Sequence, residues 1–453
     1  MFQHMNLSVT VKSKNSAENT EEHQGPKSCS SSSFEIADPA CDPNHPVIID
    51  IKDVRKAFDY IKNTIIWTPC TKSNMSSITN CEIYFKKEFL QTTGSFKERG
   101  VYYLLKTLTE EERKKGLIAA SAGNHSSALC FYGYSMNIPI VVVMPTNTAL
   151  NKINQCKKYS ATVILKGDNL LEAKTHGLQL AKTKNMIYVS GYDHPKIIAG
   201  QGTAGLEILK DVPDADAVIV PVGGGSLVAG ISVVMKHHNP KCQIIAVESE
   251  NCPSFSAALK AGKPVHVQPL DENTLADGLR VPVVGINSLE TAKNNVDKIV
   301  IVKEEEIALA IYRLVQIEKS VVEGAGACGL AAILAGQLPE LAKKKVVILL
   351  TGGNIDITVL NYCLEYGLIF ENRIVKLQIT LPRETNLSEP IEHVLKLGAK
   401  IRHVYYGDEY NAEFLTKEVS IVCETRDHDH CMELQCALKE LYENITFVYT
   451  EKM

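Results

Sequence analysis

Four short stretches hold residues able to do chemistry together. The first is Thr92-Thr93-Gly94-Ser95-Phe96-Lys97-Glu98-Arg99-Gly100. Ser95 and Glu98 have the spacing of a capping box, which puts Lys97 in the first turn of a helix. The positive end of the helix dipole disfavours a cation there, and burial in a pocket would disfavour it further. A lysine with a lowered pKa suits Schiff-base chemistry; taken alone, the motif reads equally as an exposed lysine opening a helix. The second stretch is Ser121-Ala122-Gly123-Asn124-His125. Its small residues leave backbone N–H groups open to a carboxylate, and the Asn124 amide could serve a hydroxyl. His125 is either a contact or a structural histidine. The third, Gly223-Gly224-Gly225-Ser226-Leu227-Val228-Ala229-Gly230, lets successive amides curl around a phosphate, unless it is simply a hinge. It matches neither the P-loop nor the dinucleotide fingerprint. The fourth, Leu350-Thr351-Gly352-Gly353-Asn354, offers the Thr351 hydroxyl. His428-Asp429-His430-Cys431 looks metallic, but alternate residues do not share a helix face, so no metal is expected there.

These stretches need elements to position them. Short Val/Ile-rich runs recur at Glu82–Lys86, Leu117–Ala120, Pro139–Met144, Thr162–Leu165, Ala217–Val222, Gln243–Glu248, Lys298–Val302 and Lys345–Leu350. Segments of helical period, such as Gly100–Leu108 and Leu170–Lys182, separate them. That alternation predicts an α/β fold with a mostly parallel sheet covered on both faces. Ligands bind beyond the carboxyl ends of such strands, where the unusual stretches fall. The last 80 or so residues change character and read β-α-β-β-α-β: Ile374–Leu381, Ser388–Leu397, Ala399–Tyr406, Glu418–Glu424, Asp427–Tyr442 and Ile445–Tyr449. This order predicts a separate ferredoxin-like module over 374–453.

Composition excludes several classes. The chain has 453 residues, 45% hydrophobic and 22% charged, with a formal net charge of −4; that balance argues against a nucleic-acid or anionic-membrane partner. The 13 cysteines are scattered and odd in number, which favours a reducing compartment. Residues 1–46 are polar, contain Ser28-Cys29-Ser30-Ser31-Ser32-Ser33, and read as a disordered tail. The N-terminus lacks an apolar signal core and has no arginine before Arg55, so a cytoplasmic location is expected. The uncharged stretch Ala217–Met235 approaches the length of a membrane span. Pro221 and Gly223-Gly224-Gly225 break it, so a strand, a loop and a helix are expected instead.

In this order the four motifs resemble the fold-type II pyridoxal-phosphate (PLP) enzymes, a two-lobed, tryptophan-synthase-β-like architecture, and within them the threonine ammonia-lyase and serine racemase branch. Gly200-Gln201-Gly202-Thr203, Thr274-Leu275-Ala276-Asp277-Gly278 and Val322-Glu323-Gly324-Ala325-Gly326-Ala327 reinforce the likeness, which spans about residues 47–370, with a smaller lobe at about 116–192. The resemblance implies that Lys97 holds the cofactor covalently and then serves as the base. Phe96 would pack beside the ring, Asn124 would bond its 3′ oxygen, and Gly223, Gly224, Gly225, Ser226 and Leu227 would cradle the phosphate. Thr351 would contact the pyridine nitrogen, and Ser121 to His125 would receive the substrate carboxylate. Glu248 matches an acidic cation ligand, which leaves a divalent or monovalent cation open.

Residues 374–453 resemble an ACT domain, which implies either a site for an amino-acid effector or a module that only pairs subunits, and in both cases a homodimer or homotetramer. Its usual D-R-P-G loop is replaced by Arg383-Glu384-Thr385-Asn386, where Asn386 is expected to supply the left-handed turn. The implied activity is β-elimination and deamination of L-threonine, and of L-serine, to 2-oxobutanoate or pyruvate and ammonia. Serine racemases place a second serine where this chain has Ala122, and a racemase needs a proton donor on the face opposite its lysine. Alanine there favours elimination. A racemase or mixed racemase–dehydratase, and a non-catalytic PLP-binding amino-acid sensor, stand as the alternatives.

Overall fold

The computed structural model describes residues 38–271, 273–407 and 415–448. Its strands are Cys70–Lys72 (β1), Glu82–Lys87 (β2), Leu117–Ala120 (β3), Ile140–Met144 (β4), Thr162–Leu165 (β5), Ile187–Tyr188 (β6), Ala217–Pro221 (β7), Gln243–Ser249 (β8), Lys298–Val302 (β9), Lys345–Leu350 (β10), Ile374–Pro382 (β11), Lys400–Gly407 (β12), Thr416–Glu424 (β13) and Ile445–Val448 (β14). They form three sheets: β1-β2-β10-β7-β8-β9, β5-β4-β3-β6 and β12-β13-β11-β14. The second is parallel throughout, and in the first only β1 runs antiparallel. Every Val/Ile run expected to be a strand is one, with ends within a residue. These runs are continuous rather than alternating because both faces are covered: β4 and β7 are buried at every position.

The two parallel sheets share one apolar cluster, in which Leu117, Val142, Val220 and Ile198 are all buried. A second cluster, with Ile219, Ile348 and Leu330, fills the far face of the larger sheet. Between the sheets the helix Pro195–Asp211 crosses two others at glycines. A Cβ on Gly200 would lie 2.5 Å from Gly100 Cα, and one on Gly230 would lie 2.5 Å from Gly202 N. Helix Lys97–Lys106 and helix Ser226–His238 therefore both approach the same helix backbone to backbone. The stretch Ala217–Met235 resolves into β7, the glycine loop and that last helix, and no helix among the described residues is long and apolar enough to cross a membrane.

The C-terminal residues fold in the expected β-α-β-β-α-β order around a core of their own, including Leu377, Val394, Ile421 and Leu434. Tyr449, expected to end the last strand, lies outside the described residues. Asn386 does not adopt a left-handed backbone. Its Oδ1 instead accepts from Ser388 N at 3.1 Å, while Thr385 N closes the turn onto Pro382 O; an Asx bond leading into helix Ser388–Lys396 replaces the glycine. His430, in the stretch that looked metallic, faces Leu397 O at 2.8 Å and Arg426 N at 3.0 Å, a structural task.

The expected tail needs one correction. Residues 1–37 lie outside those described, but the part from Asp38 onward is held. Asp38 is buried, Asn287 Nδ2 donates to Ala40 O at 2.8 Å, and Val47 N donates to Asn287 Oδ1 at 2.7 Å. Backbone groups of this segment, at Ala40, Val47 and Ile49, bond to side chains of helix Ile286–Ala292.

Candidate active site

Three of the four motifs follow β3, β7 and β10 directly; the first follows β2 and a short 3-10 turn at Glu88–Leu90. Backbone bonds tie the first motif to the fourth: Phe96 N donates to Thr351 O at 3.0 Å, and Gly353 N to Gly94 O at 2.9 Å. Lys97 thus opens its helix beside the end of the central strand. The expected capping box is absent. Phe96 sits at the cap position without a side-chain bond. Glu98 accepts instead from Thr93 N and from the Tyr132 hydroxyl, the latter at 2.6 Å, while Ser95 Oγ is buried without a partner.

Lys97 Nζ donates to Gly191 O at 2.7 Å and lies 5.0 Å from the centre of the Phe96 ring. Burial pushes its pKa down to about 8, against an opposing pull from Glu323. Arg99, two residues on, is buried too but fully paired. It meets Glu88 at 2.6 and 2.8 Å and Glu207 at 2.7 and 2.8 Å. Lys86 joins the same cluster through Glu207 at 2.5 Å.

The second motif wraps the start of helix Asn124–Ser135. Ser121 N is spent on Val143 O, whereas a Cβ on Gly123 would meet nothing within 4 Å, so this face of the loop borders open space. Ala122 packs against the shared core. Asn124 Nδ2 donates to Glu323 Oε1 at 2.7 Å, and Asn124 Oδ1 accepts from Asn354 Nδ2 at 2.7 Å. His125 is buried beneath Gly191, its ring beside the Val189 backbone. Burial and nearby Lys97 hold it neutral, with a pKa of about 3.

In the glycine loop, Gly225 has φ +98°, a conformation that favours glycine, and opens helix Ser226–His238 with Ser226 and Leu227 buried. Gly224 packs against the Tyr192 ring so closely that a Cβ would overlap it, and Gly285 N donates to Gly224 O at 3.2 Å. The neighbouring Asp193 accepts from Ile286 N at 3.1 Å and Ser288 N at 2.9 Å. Gly191, Tyr192 and Asp193 therefore link the Lys97 amine, the glycine loop and helix Ile286–Ala292.

Thr351 is buried at the end of β10. The two oxygens of Glu248 accept from Phe255 N at 2.7 Å and Ser256 N at 2.9 Å, at the start of helix Ser254–Ala261. No group of three possible metal ligands occurs among the described residues. Sequence reading missed Glu323, Asn354 and the Gly191–Asp193 link as site residues. Glu323 and Asn354 stood inside quoted motifs but without an assigned role. The link follows β6, a two-residue strand too short to leave a pattern.

A phosphorylated aldehyde fits these residues. Burial lowers the pKa of the amine to about 8, the glycine loop opens a helix N-terminus without side chains of its own, and the Asn124 amide lies between Glu323 and Asn354. The family model for pyridoxal-phosphate dependent enzymes matches residues 61–352. The L-threonine ammonia-lyase of Thermotoga maritima is 39% identical over 396 residues, covering 86% of this chain and 97% of that protein. Among solved structures, the processed form of threonine deaminase isoform 2 from Solanum lycopersicum has a TM-score of 0.65 at 31% identity, over 71% of this chain and 90% of that one. Serine racemase from Dictyostelium discoideum has a TM-score of 0.63 at 34% identity, over 68% and 99%. The match over most of the parallel-sheet body, joined to a lysine and a glycine loop in the places the chemistry requires, means that the chain belongs to the pyridoxal-phosphate dependent enzyme family.

Proposed function

We propose that this chain is a threonine ammonia-lyase that eliminates water from L-threonine, and from L-serine, and releases 2-oxobutanoate or pyruvate with ammonia. The observation that carries this reading is the Lys97 amine, held by one carbonyl and softened to a pKa of about 8, with Ala122 in the facing loop. Bound there, pyridoxal phosphate supplies the electron sink that lets the Cα–H bond break. Lys97 Nζ anchors the cofactor and then, once free, accepts the α-proton, a role its lowered pKa favours. Phe96 flanks the ring, and Asn124 and Thr351 hold its polar edge. Gly223 to Leu227 receive the phosphate at a helix N-terminus. Ser121 to His125 receive the substrate carboxylate. A methyl side chain at 122 has no proton to give to the opposite face, which supports elimination over racemization.

We assign residues 47–370 to catalysis, with a smaller lobe at about 116–192, and 374–453 to an ACT-like module that pairs subunits or senses an amino acid. A cavity of about 370 Å³, lined by Gln316, Glu371, Arg373, Arg426, Asp427 and His428, is our candidate seat for a zwitterionic effector. A homodimer or homotetramer in the cytoplasm completes the reading.

The test is 2-oxo acid release from L-threonine and L-serine by the PLP-loaded protein, beside Lys97→Ala. Lysine-dependent release supports the lyase, and the ratio of the two products ranks the substrates. Bound cofactor with no keto acid from either substrate would sink the reading. D-serine formed from L-serine would point to the racemase.

A further inference from the structure

Glu323 precedes helix Gly324–Leu334 but makes no side-chain cap to it. Its carboxylate turns across the cleft. Oε1 accepts from Asn124 Nδ2 at 2.7 Å, and the backbone pins this arrangement, since Glu323 N donates to Gly352 O at 3.0 Å. A Cβ on Gly352 would overlap Oε1, so the fourth motif is glycine where the carboxylate passes. At the other end of the same amide, Asn354 Nδ2 donates to Asn124 Oδ1 at 2.7 Å and also reaches Thr93 O at 2.9 Å. A carboxylate only accepts, so it fixes which end of the Asn124 amide is nitrogen. One Nδ2 hydrogen is then committed and the second is left for the cofactor.

We propose that Glu323 is a positioning residue: its carboxylate, reaching from the larger lobe, sets the plane and polarity of the Asn124 amide and so aligns the donor that meets the cofactor. The groups that face it are Asn124, Lys97 and the backbone N–H of Asn354 on one side, and Asp277, Lys152 and the Cys328 thiol on its other sides, Asp277 and Lys152 being paired at 2.7 Å. Burial, then Asp277, push Glu323 up to about 7, while the bond from Asn124 and the charge of Lys152 pull it back. Above that pH the ionised carboxylate enforces the amide's polarity. Below it a protonated carboxyl also donates, and only the bond from Asn354 still sets the amide's sense.

This inference rests on the lyase reading. Keto-acid release by the unaltered protein decides that reading, and comparison of variants decides this one. The experiment follows the absorbance of the bound cofactor in Glu323→Gln holoenzyme from about pH 6 to about pH 9, with unfolding temperature and kcat alongside. The expected result is a wild-type unfolding temperature, loss of the spectral change centred near pH 7, and a fall in kcat of about 10-fold or more with less change in KM. A folded Glu323→Gln whose spectrum–pH curve matches wild type and whose kcat lies within about twofold of it overturns the proposal. If that variant does not fold, Asn124→Asp decides. It sets two carboxyl groups face to face, which must then share a proton, so the spectral midpoint should rise by about one unit or more. An unmoved midpoint overturns the proposal.

Discussion

Lys97, half-buried, and Arg99, fully buried, are two cations in the first turn of one helix, and the protein treats them oppositely. Arg99 receives two carboxylates at 2.6–2.8 Å, and its partner Glu207 also holds Lys86. Lys97 receives one carbonyl and a distant carboxylate. The opposing pulls of Glu88 and Glu207 overcome the burial penalty and drive the Arg99 pKa further up, whereas burial wins at Lys97 and its proton becomes loose. Two residues of sequence separate a charge that is fixed from one that is meant to come and go. Pairing divides the structural cation from the one proposed to react.

The comparison can be broken most severely by truncating each cation. Lys97→Ala should cut keto-acid release by about 10³-fold or more while removing one hydrogen bond, worth about 1 kcal/mol of stability. Arg99→Ala should do the reverse in kind, costing about 3–5 kcal/mol because Glu88 is left buried without its cation and Glu207 keeps only Lys86; denaturant unfolding measures it. Arg99→Lys should recover only part of this, since an ammonium cannot bridge two carboxylates as the planar fork does.

Titration sharpens the contrast next. The amine of Lys97 is held below its ordinary value of 10.5, at about 8. Uptake of PLP by cofactor-free protein should therefore speed up as pH rises through about 8 and level off above it. A smaller effect is expected at the glycine loop. Gly224→Ala forces a methyl into the Tyr192 ring, at a cost of about 1–3 kcal/mol, read as weaker PLP affinity in a fluorescence titration. The smallest effect belongs to Glu248, whose pKa burial raises from 4.5 to about 7. The folded state holds that proton more tightly than the unfolded one, so stability falls as pH rises from about 4.5 to about 7. Glu248→Gln should flatten that decline in a pH series of unfolding curves.

The sheet ends were readable from sequence because strands covered on both faces leave continuous apolar runs, as in Ile140–Met144 and Ala217–Pro221, and each run ends where a motif begins. The C-terminal module was readable for a different reason: an antiparallel sheet with one covered face alternates, as Ile374–Pro382 does. What stayed hidden was partnership over long separations. Ser95 and Glu98 have the spacing of a cap, yet Tyr132 and Thr93 claim Glu98. Nothing local announces that Glu323 meets Asn124, 199 positions away. Asp38 to Pro46 looked like tail because their bonds to helix Ile286–Ala292 depend on residues some 240 positions on.

The glycine crossings of helix Pro195–Asp211 carry one more consequence. Gly200 sits on Gly100, three residues after Lys97, and Gly202 sits on Gly230, five residues after Gly225. One rod therefore sets the span between the Lys97 amine, proposed to hold the cofactor's aldehyde end, and the glycine loop proposed for its phosphate. A side chain at any of these four glycines would widen that span from a point remote from the chemistry. The packing of three helices and the spacing of the two motifs are thus set by the same backbone contacts at these four glycines.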